Sequence, residues 1–176
     1  MNLWYEIEPG TKESFNVVIE IPKLSRVKYE LDKKTGLIKF DRVLYSPMHY
    51  PANYGFVPQT LWDDGDPLDV LVLGHEPLIP GCLIKTRPIG VLVMNDGGDD
   101  DIKILAVPEK DPRYKNTNSI NDLEPHLLEE IKHFFSVYKD LQEKEVKVGE
   151  WQGRDEALVA VEKAIESCRQ SGNDPS

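Results

Sequence analysis

Six short strand-like segments, with Gly, Pro, Asn and Asp at the breaks, fill the first two thirds of the chain, and this punctuation limits the fold most. Phe15 to Ile21, Val27 to Leu31, Leu37 to Leu44, Leu68 to Leu73, Leu83 to Met94 and Asp101 to Val107 read as strands. Many short strands with turn signals between them point to a closed barrel or a sandwich. The last third changes period. Leu127, Leu128, Ile131, Phe134, Phe135 and Tyr138 recur at helical spacing, with Asn121 or Asp122 as the expected cap and Pro125 in the first turn. Leu158, Val161, Ala164, Ile165 and Cys168 mark a second helix. The class is therefore α+β, mainly β: a barrel with two C-terminal helices packed on it.

At 176 residues the chain suits one domain over residues 1–170, with residues 171–176 as a disordered tail. The net charge is −10, from 21 basic and 31 acidic residues. That sign argues against nucleic acid and against an anionic membrane surface, since both select basic patches. No apolar run approaches the roughly 20 residues of a membrane span. Met1-Asn2-Leu3-Trp4-Tyr5-Glu6 has no basic stretch followed by an apolar core, so no signal peptide is read. Cys82 and Cys168 form no CxxC and are expected as thiols of a reducing cytoplasm. His49, His75, His126 and His133 show no zinc spacing.

The chemistry concentrates in carboxylates. Asp64-Gly65-Asp66-Pro67-Leu68-Asp69 places three Asp in six residues and runs directly into Val70-Leu71-Val72-Leu73. Two like charges about 4 Å apart repel by about 4 kcal/mol at an effective dielectric near 20. Such a cluster is either a solvated turn or a seat for hard cations such as Mg²⁺, Mn²⁺ or Ca²⁺. An EF-hand is excluded by spacing: with Asp64 as loop position 1, the required Gly falls on Asp69 and the closing Glu on His75. A second acidic run, Asp96-Gly97-Gly98-Asp99-Asp100-Asp101, follows the longest strand and reads equally as a hairpin loop.

Several strands carry charges their pattern does not want. Glu20 interrupts Val17-Val18-Ile19, Lys28 and Glu30 share one face, and Asp101 and Lys103 point the same way. With Arg42 nearby, two Asp clusters converging at one end of a barrel beside Lys and Arg would make a metal-assisted phosphoryl-transfer site. Tyr50 and Tyr54 lie in a Pro- and Gly-punctuated segment. They suit a core wall, or hydroxyl donors to a phosphate, and composition does not separate the two.

The motif Asp64-Gly65-Asp66-Pro67-Leu68-Asp69-Val70 resembles the signature of family I soluble inorganic pyrophosphatases. Further segments resemble that family in the same order. They are Val18-Ile19-Glu20-Ile21-Pro22, Lys28-Tyr29-Glu30, Asp41-Arg42, Tyr50-Pro51-Ala52-Asn53-Tyr54-Gly55, Arg87-Pro88-Ile89-Gly90, Ala106-Val107-Pro108 and His133-Phe134-Phe135 through Tyr138-Lys139-Asp140. The resemblance covers about residues 5 to 168.

It implies a five-stranded OB-type barrel with helices against it, and Mg²⁺-dependent hydrolysis of pyrophosphate to two phosphates. Carried over by position, it implies Asp64, Asp69, Asp96 and Asp101 as metal ligands, with Glu20 and Glu30 holding a further metal largely through water. Asp66 becomes the general base. Lys28, Arg42, Tyr54, Lys103, Tyr138 and Lys139 become phosphate-binding groups, with Tyr50 in support, while Asp99 and Asp100 are left to solvent. Several Mg²⁺ per site are implied, Mn²⁺ or other divalent cations being the substitutes. A cytoplasmic homohexamer acting on a small anion is the expected assembly. The competing readings are an OB-type binding module without catalysis and another metal-dependent phosphohydrolase.

Overall fold

The structure is a computed structural model that describes residues 1–172. The described residues form eight strands and two α-helices. The strands are β1 (Phe15–Ile21), β2 (Val27–Leu31), β3 (Ile38–Val43), β4 (Asn53–Phe56), β5 (Asp69–Val72), β6 (Leu83–Asp96), β7 (Asp99–Pro108) and β8 (Val146–Gln152), and the helices are α1 (Pro125–Val137) and α2 (Arg154–Gln170). All six expected strands are present.

Five strands close into a ring in the order β1-β4-β5-β7-β6 and back to β1. Every neighbour is antiparallel except β5 and β7, which run parallel with Val70 opposite Ile104. The ring is the expected OB-type barrel, with all edges paired. β6 is long enough to serve two partners. Its first residues pair with β1, and its last pair with β8, from Val91 opposite Gln152 to Asp96 opposite Val146. β2 and β3 form a separate hairpin.

Both faces of the central strands are apolar, which is why Val70 to Leu73 reads as an unbroken run. Val70, Val72, Ile104 and Ala106 pack with Ala157, Val161 and Ala164 of α2. The alternate residues Leu71, Leu73, Leu105 and Val107 pack with Ile131, Phe134 and Phe135 of α1. No helix among the described residues is long and apolar enough to cross a membrane.

Two strands were not legible. β4 has four residues, and Gly55 reads as a breaker. In the fold Gly55 lies opposite Ile19, and a Cβ there would stand 2.0 Å from the Val18 carbonyl oxygen, so only glycine lets β4 and β1 close up. β8 is a half-buried edge strand, with Lys147 and Glu150 on its exposed face. The α1 cap also differs from expectation. Asn121 and Asp122 lie in a separate 3₁₀ turn capped by Ser119, and the Glu124 side chain accepts the Leu127 N–H. Pro125 does open the helix. Of the expected tail, Ser171 and Gly172 form the turn ending α2, and 173–176 lie outside the described residues.

Candidate active site

The Asp64–Asp69 segment is a fixed turn. Gly65 takes φ +83°, the left-handed region that favours glycine. Trp62 N–H donates to the Asp66 carbonyl at 2.8 Å, Gly65 N–H to the Trp62 carbonyl at 3.0 Å, and Asp66 N–H to Asp64 Oδ1 at 3.0 Å. The Asp64 carboxyl is pushed up to about 6 by burial first, against the Asp66 N–H that it accepts, with the Asp66, Asp69 and Asp101 charges adding to the rise. Asp69 is the first residue of β5, and the parallel ladder with β7 sets it beside Lys103.

Lys103 is the hub. Its residue is only 4% exposed. Its Nζ donates to Asp69 Oδ2 at 2.6 Å and to Tyr54 Oη at 3.0 Å, and lies 2.8 Å from Asp101 Oδ2. Burial disfavours the ammonium, but Asp69, Tyr54 and Asp101 overcome that and raise its pKa well above the usual value. Burial raises the Asp69 carboxyl, against the pull of Lys103. The shared face of Asp101 and Lys103, expected from strand alternation, is present.

The β2–β3 hairpin brings cations. Lys28 stands directly opposite Arg42 in the ladder, a like-charge pairing that is unfavourable unless an anion intervenes. Asp41 is that anion. It accepts from Lys28 Nζ at 3.2 Å and from Arg42 Nη1, while Arg42 Nη2 donates to Gln142 Oε1 at 3.2 Å. Arg42 Nε is buried without a partner. Glu30 pairs with Lys28. Glu20 is buried and accepts the Leu31 N–H at 2.7 Å, tying the hairpin to β1. Burial, then the Asp69 charge, pushes the Glu20 carboxyl up to about 8.

At the end of α1, Lys139 pairs with Asp96, and Tyr138 is buried with its ring against Phe134 at 5.2 Å. Burial raises the Tyr138 phenol, and Lys103, Asp96, Asp101 and Asp69 all act on it. Tyr50 packs between Tyr54 and Phe134, at 5.6 and 4.9 Å. A cavity of about 430 Å³ is lined by Glu20, Lys28, Glu30, Tyr54, Asp66 and Asp69. Asp96 and Lys139 line a separate recess of about 610 Å³ with Lys144 and Lys147. Asp99 and Asp100 are exposed.

The sequence-predicted residues thus fall into four groups: the Lys103 hub with Asp69, Asp101 and Tyr54 backed by Tyr50; the Asp64–Asp66 turn; Lys28, Glu30 and Arg42 of the hairpin with Glu20 at its base; and the Asp96–Lys139 pair in its own recess, with Tyr138 between it and the hub. Sequence reasoning gave no role to Asp41, Gln142 or Lys33. The ladder pairing of Lys28 with Arg42 was the signal for Asp41, and it is invisible until the register is known. Lys33 pairs with Asp66.

The donor set is all carboxylate, the chemistry of a Mg²⁺ site. No three acidic, His or Cys side chains among the described residues cage one ion by themselves. Mg²⁺ keeps several waters and needs only one or two carboxylates, so this set fits it. Burial is the first cause of the raised carboxyls at Glu20, Asp64 and Asp69, and neighbouring carboxylates raise all three further.

Known proteins resemble this chain over most of its length. The chain is 52% identical over 165 residues to soluble inorganic pyrophosphatase 5 of Arabidopsis thaliana, covering 93% of this chain and 76% of that protein. The Zea mays soluble inorganic pyrophosphatase is 56% identical over 147 residues, covering 82% and 69%. Among solved structures, the inorganic pyrophosphatase of Thermus thermophilus superposes with a TM-score of 0.92 at 41% identity, over 96% of this chain and 99% of that one. The Helicobacter pylori enzyme gives 0.89 at 46%, over 93% and 99%. With a model of the inorganic pyrophosphatase family matching residues 17–169, the chain belongs to that family.

Proposed function

We propose that this chain hydrolyses inorganic pyrophosphate to two orthophosphates with Mg²⁺, and that the residues named above carry the reaction. The carrying observation is that one Asp from each acidic cluster, Asp69 and Asp101, meets buried Lys103, beside a cavity lined by Asp69, Lys28, Glu20 and Glu30.

Pyrophosphate is small and highly charged, with no apolar handle, so its affinity must come from cations. The transition state spreads charge over equatorial oxygens, and catalysis is mainly positioning and electrostatics. Asp64, Asp69, Asp96 and Asp101 would hold Mg²⁺, with Glu20 and Glu30 holding a further ion through water. Bound Mg²⁺ supplies Lewis-acid polarisation and lowers the pKa of water. Asp66, half exposed on its turn at the cavity, accepts the proton of the attacking water. Lys28, Arg42, Lys103 and Lys139 bind phosphate oxygens, Arg42 with its fork geometry. Tyr54 and Tyr138 donate hydroxyls without adding charge, and Tyr50 backs Tyr54.

We assign the protein to the cytoplasm as a homohexamer. Exposed Phe40, Tyr45 and Ile79 offer apolar surface for association. Phosphate release from pyrophosphate, with Mg²⁺ or excess chelator and with ATP and a phosphomonoester as controls, tests the reading. Fast Mg²⁺-dependent release from pyrophosphate alone is expected. A folded protein that releases nothing would return it to the binding-module class. Light scattering tests the hexamer.

A further inference from the structure

Lys33 has a place in the site that its sequence neighbourhood does not announce. It lies in the turn between β2 and β3, and its Nζ reaches across to the Asp64–Asp66 turn. There it pairs with the Asp66 carboxylate and donates to the Gly65 carbonyl oxygen at 3.1 Å. One ammonium therefore holds two groups of the turn, a side chain and the backbone.

The lysine is itself held. Its Nζ lies 5.5 Å from the ring centroid of Trp4, a cation–π arrangement. Trp4 is buried, and its indole N–H donates to the Thr60 carbonyl at 2.9 Å. Thr60 Oγ1 in turn accepts the Leu68 N–H at 2.9 Å, closing the far end of the Asp turn. The N-terminal segment also seats the hairpin turn. Gly36 takes φ +72° with Asn2 against it, so closely that a Cβ would stand 2.7 Å from Asn2 Cα. Trp4 thus supports both the lysine and the turn the lysine holds.

We propose that Lys33 is a positioning residue: it aims Asp66 into the cavity and locks the hairpin that carries Lys28 and Arg42 to the turn that carries the base. This rests on the assignment of Asp66 above. An exposed ion pair adds little to folding stability, so loss of the ammonium leaves the fold intact and acts on alignment.

The experiment compares Lys33→Met, which keeps the stem, with Lys33→Arg, which keeps the charge, on the intact Mg²⁺-loaded enzyme. Lys33→Met is expected to lower kcat about tenfold, as a misplaced catalytic group does, with KM within about twofold. The melting temperature should stay at the wild-type value, and Lys33→Arg should recover most of the rate. An unchanged kcat in Lys33→Met, a loss confined to KM, or an equal kcat loss in Lys33→Arg overturns the proposal. Asp66→Asn is run alongside. If it keeps its turnover, the assignment of the base fails; if it is inactive while Lys33→Met is fully active, only the role of Lys33 falls.

Discussion

Lys103 and Asp69 are 34 residues apart in sequence and 2.6 Å apart in space, with the lysine side chain 5% exposed. Asp101 flanks the same ammonium from β7 at 2.8 Å. One buried cation thus neutralises carboxylates from two strands.

Removing that cation leaves two largely buried carboxylates without their partner. Breaking a buried pair this way destabilises by about 3–5 kcal/mol. Lys103→Met should therefore lower the urea midpoint of the chelated protein, and Mg²⁺ should restore more stability to the variant than it adds to wild type. Equal Mg²⁺ effects in both would show that the ion does not sit near Asp69 and Asp101.

Asp66 is half exposed and makes no buried contact, so its amide should fold normally. General-base catalysis contributes about 10²- to 10⁴-fold. Asp66→Asn should lose turnover on that scale with an unaltered thermal midpoint, measured by phosphate release and calorimetry.

The sign of the pH dependence follows from Glu20 and Asp64. Both carboxyls are raised in the folded state, to about 8 and about 6. A raised acid binds more protons folded than unfolded, so its stabilising contribution is complete below the unfolded pKa and fades as pH rises through the folded one. Metal-free protein should lose stability from about pH 4 to about pH 8 on this account. Mg²⁺ competes with those protons, so its stabilisation should grow over the same interval. Denaturant melts at several pH values, with Mg²⁺ or chelator, check both slopes.

Arg42 faces Lys28 across the hairpin and forks between Asp41 and Gln142. Lysine cannot reproduce that fork. Arg42→Lys should raise KM for pyrophosphate about tenfold, the loss of about one charge-assisted hydrogen bond, while the Mg²⁺ concentration for half-activity stays put. A KM within twofold of wild type would remove Arg42 from substrate binding.

Strand content was legible wherever apolar residues ran on or alternated with polar ones for five or more positions between breakers. β4 escaped because glycine at position 55 serves packing between strands, a tertiary reason that local sequence does not carry. β8 escaped because its exposed face is charged and its partner, the second half of β6, is distant in sequence. Asp101 and Lys103 could be paired by period-two alternation alone. Joining them to Asp69 required the parallel β5–β7 register, which no pattern within either strand reports. Lys33 was the least legible, since an exposed lysine in a turn has no local signature.

The parallel pairing of β5 and β7 has a consequence for how the protein is made. β6 and β7 meet through the two-residue turn Gly97-Gly98, and β2 and β3 are also neighbours in sequence, so these hairpins can form early. β5 reaches β7 only after β6 has gone out and back between them. Asp69 therefore meets Lys103 and Asp101 only across this non-local ladder. The same ladder that buries Asp69 sets it against the Lys103 ammonium, so the attraction between them offsets the desolvation of both.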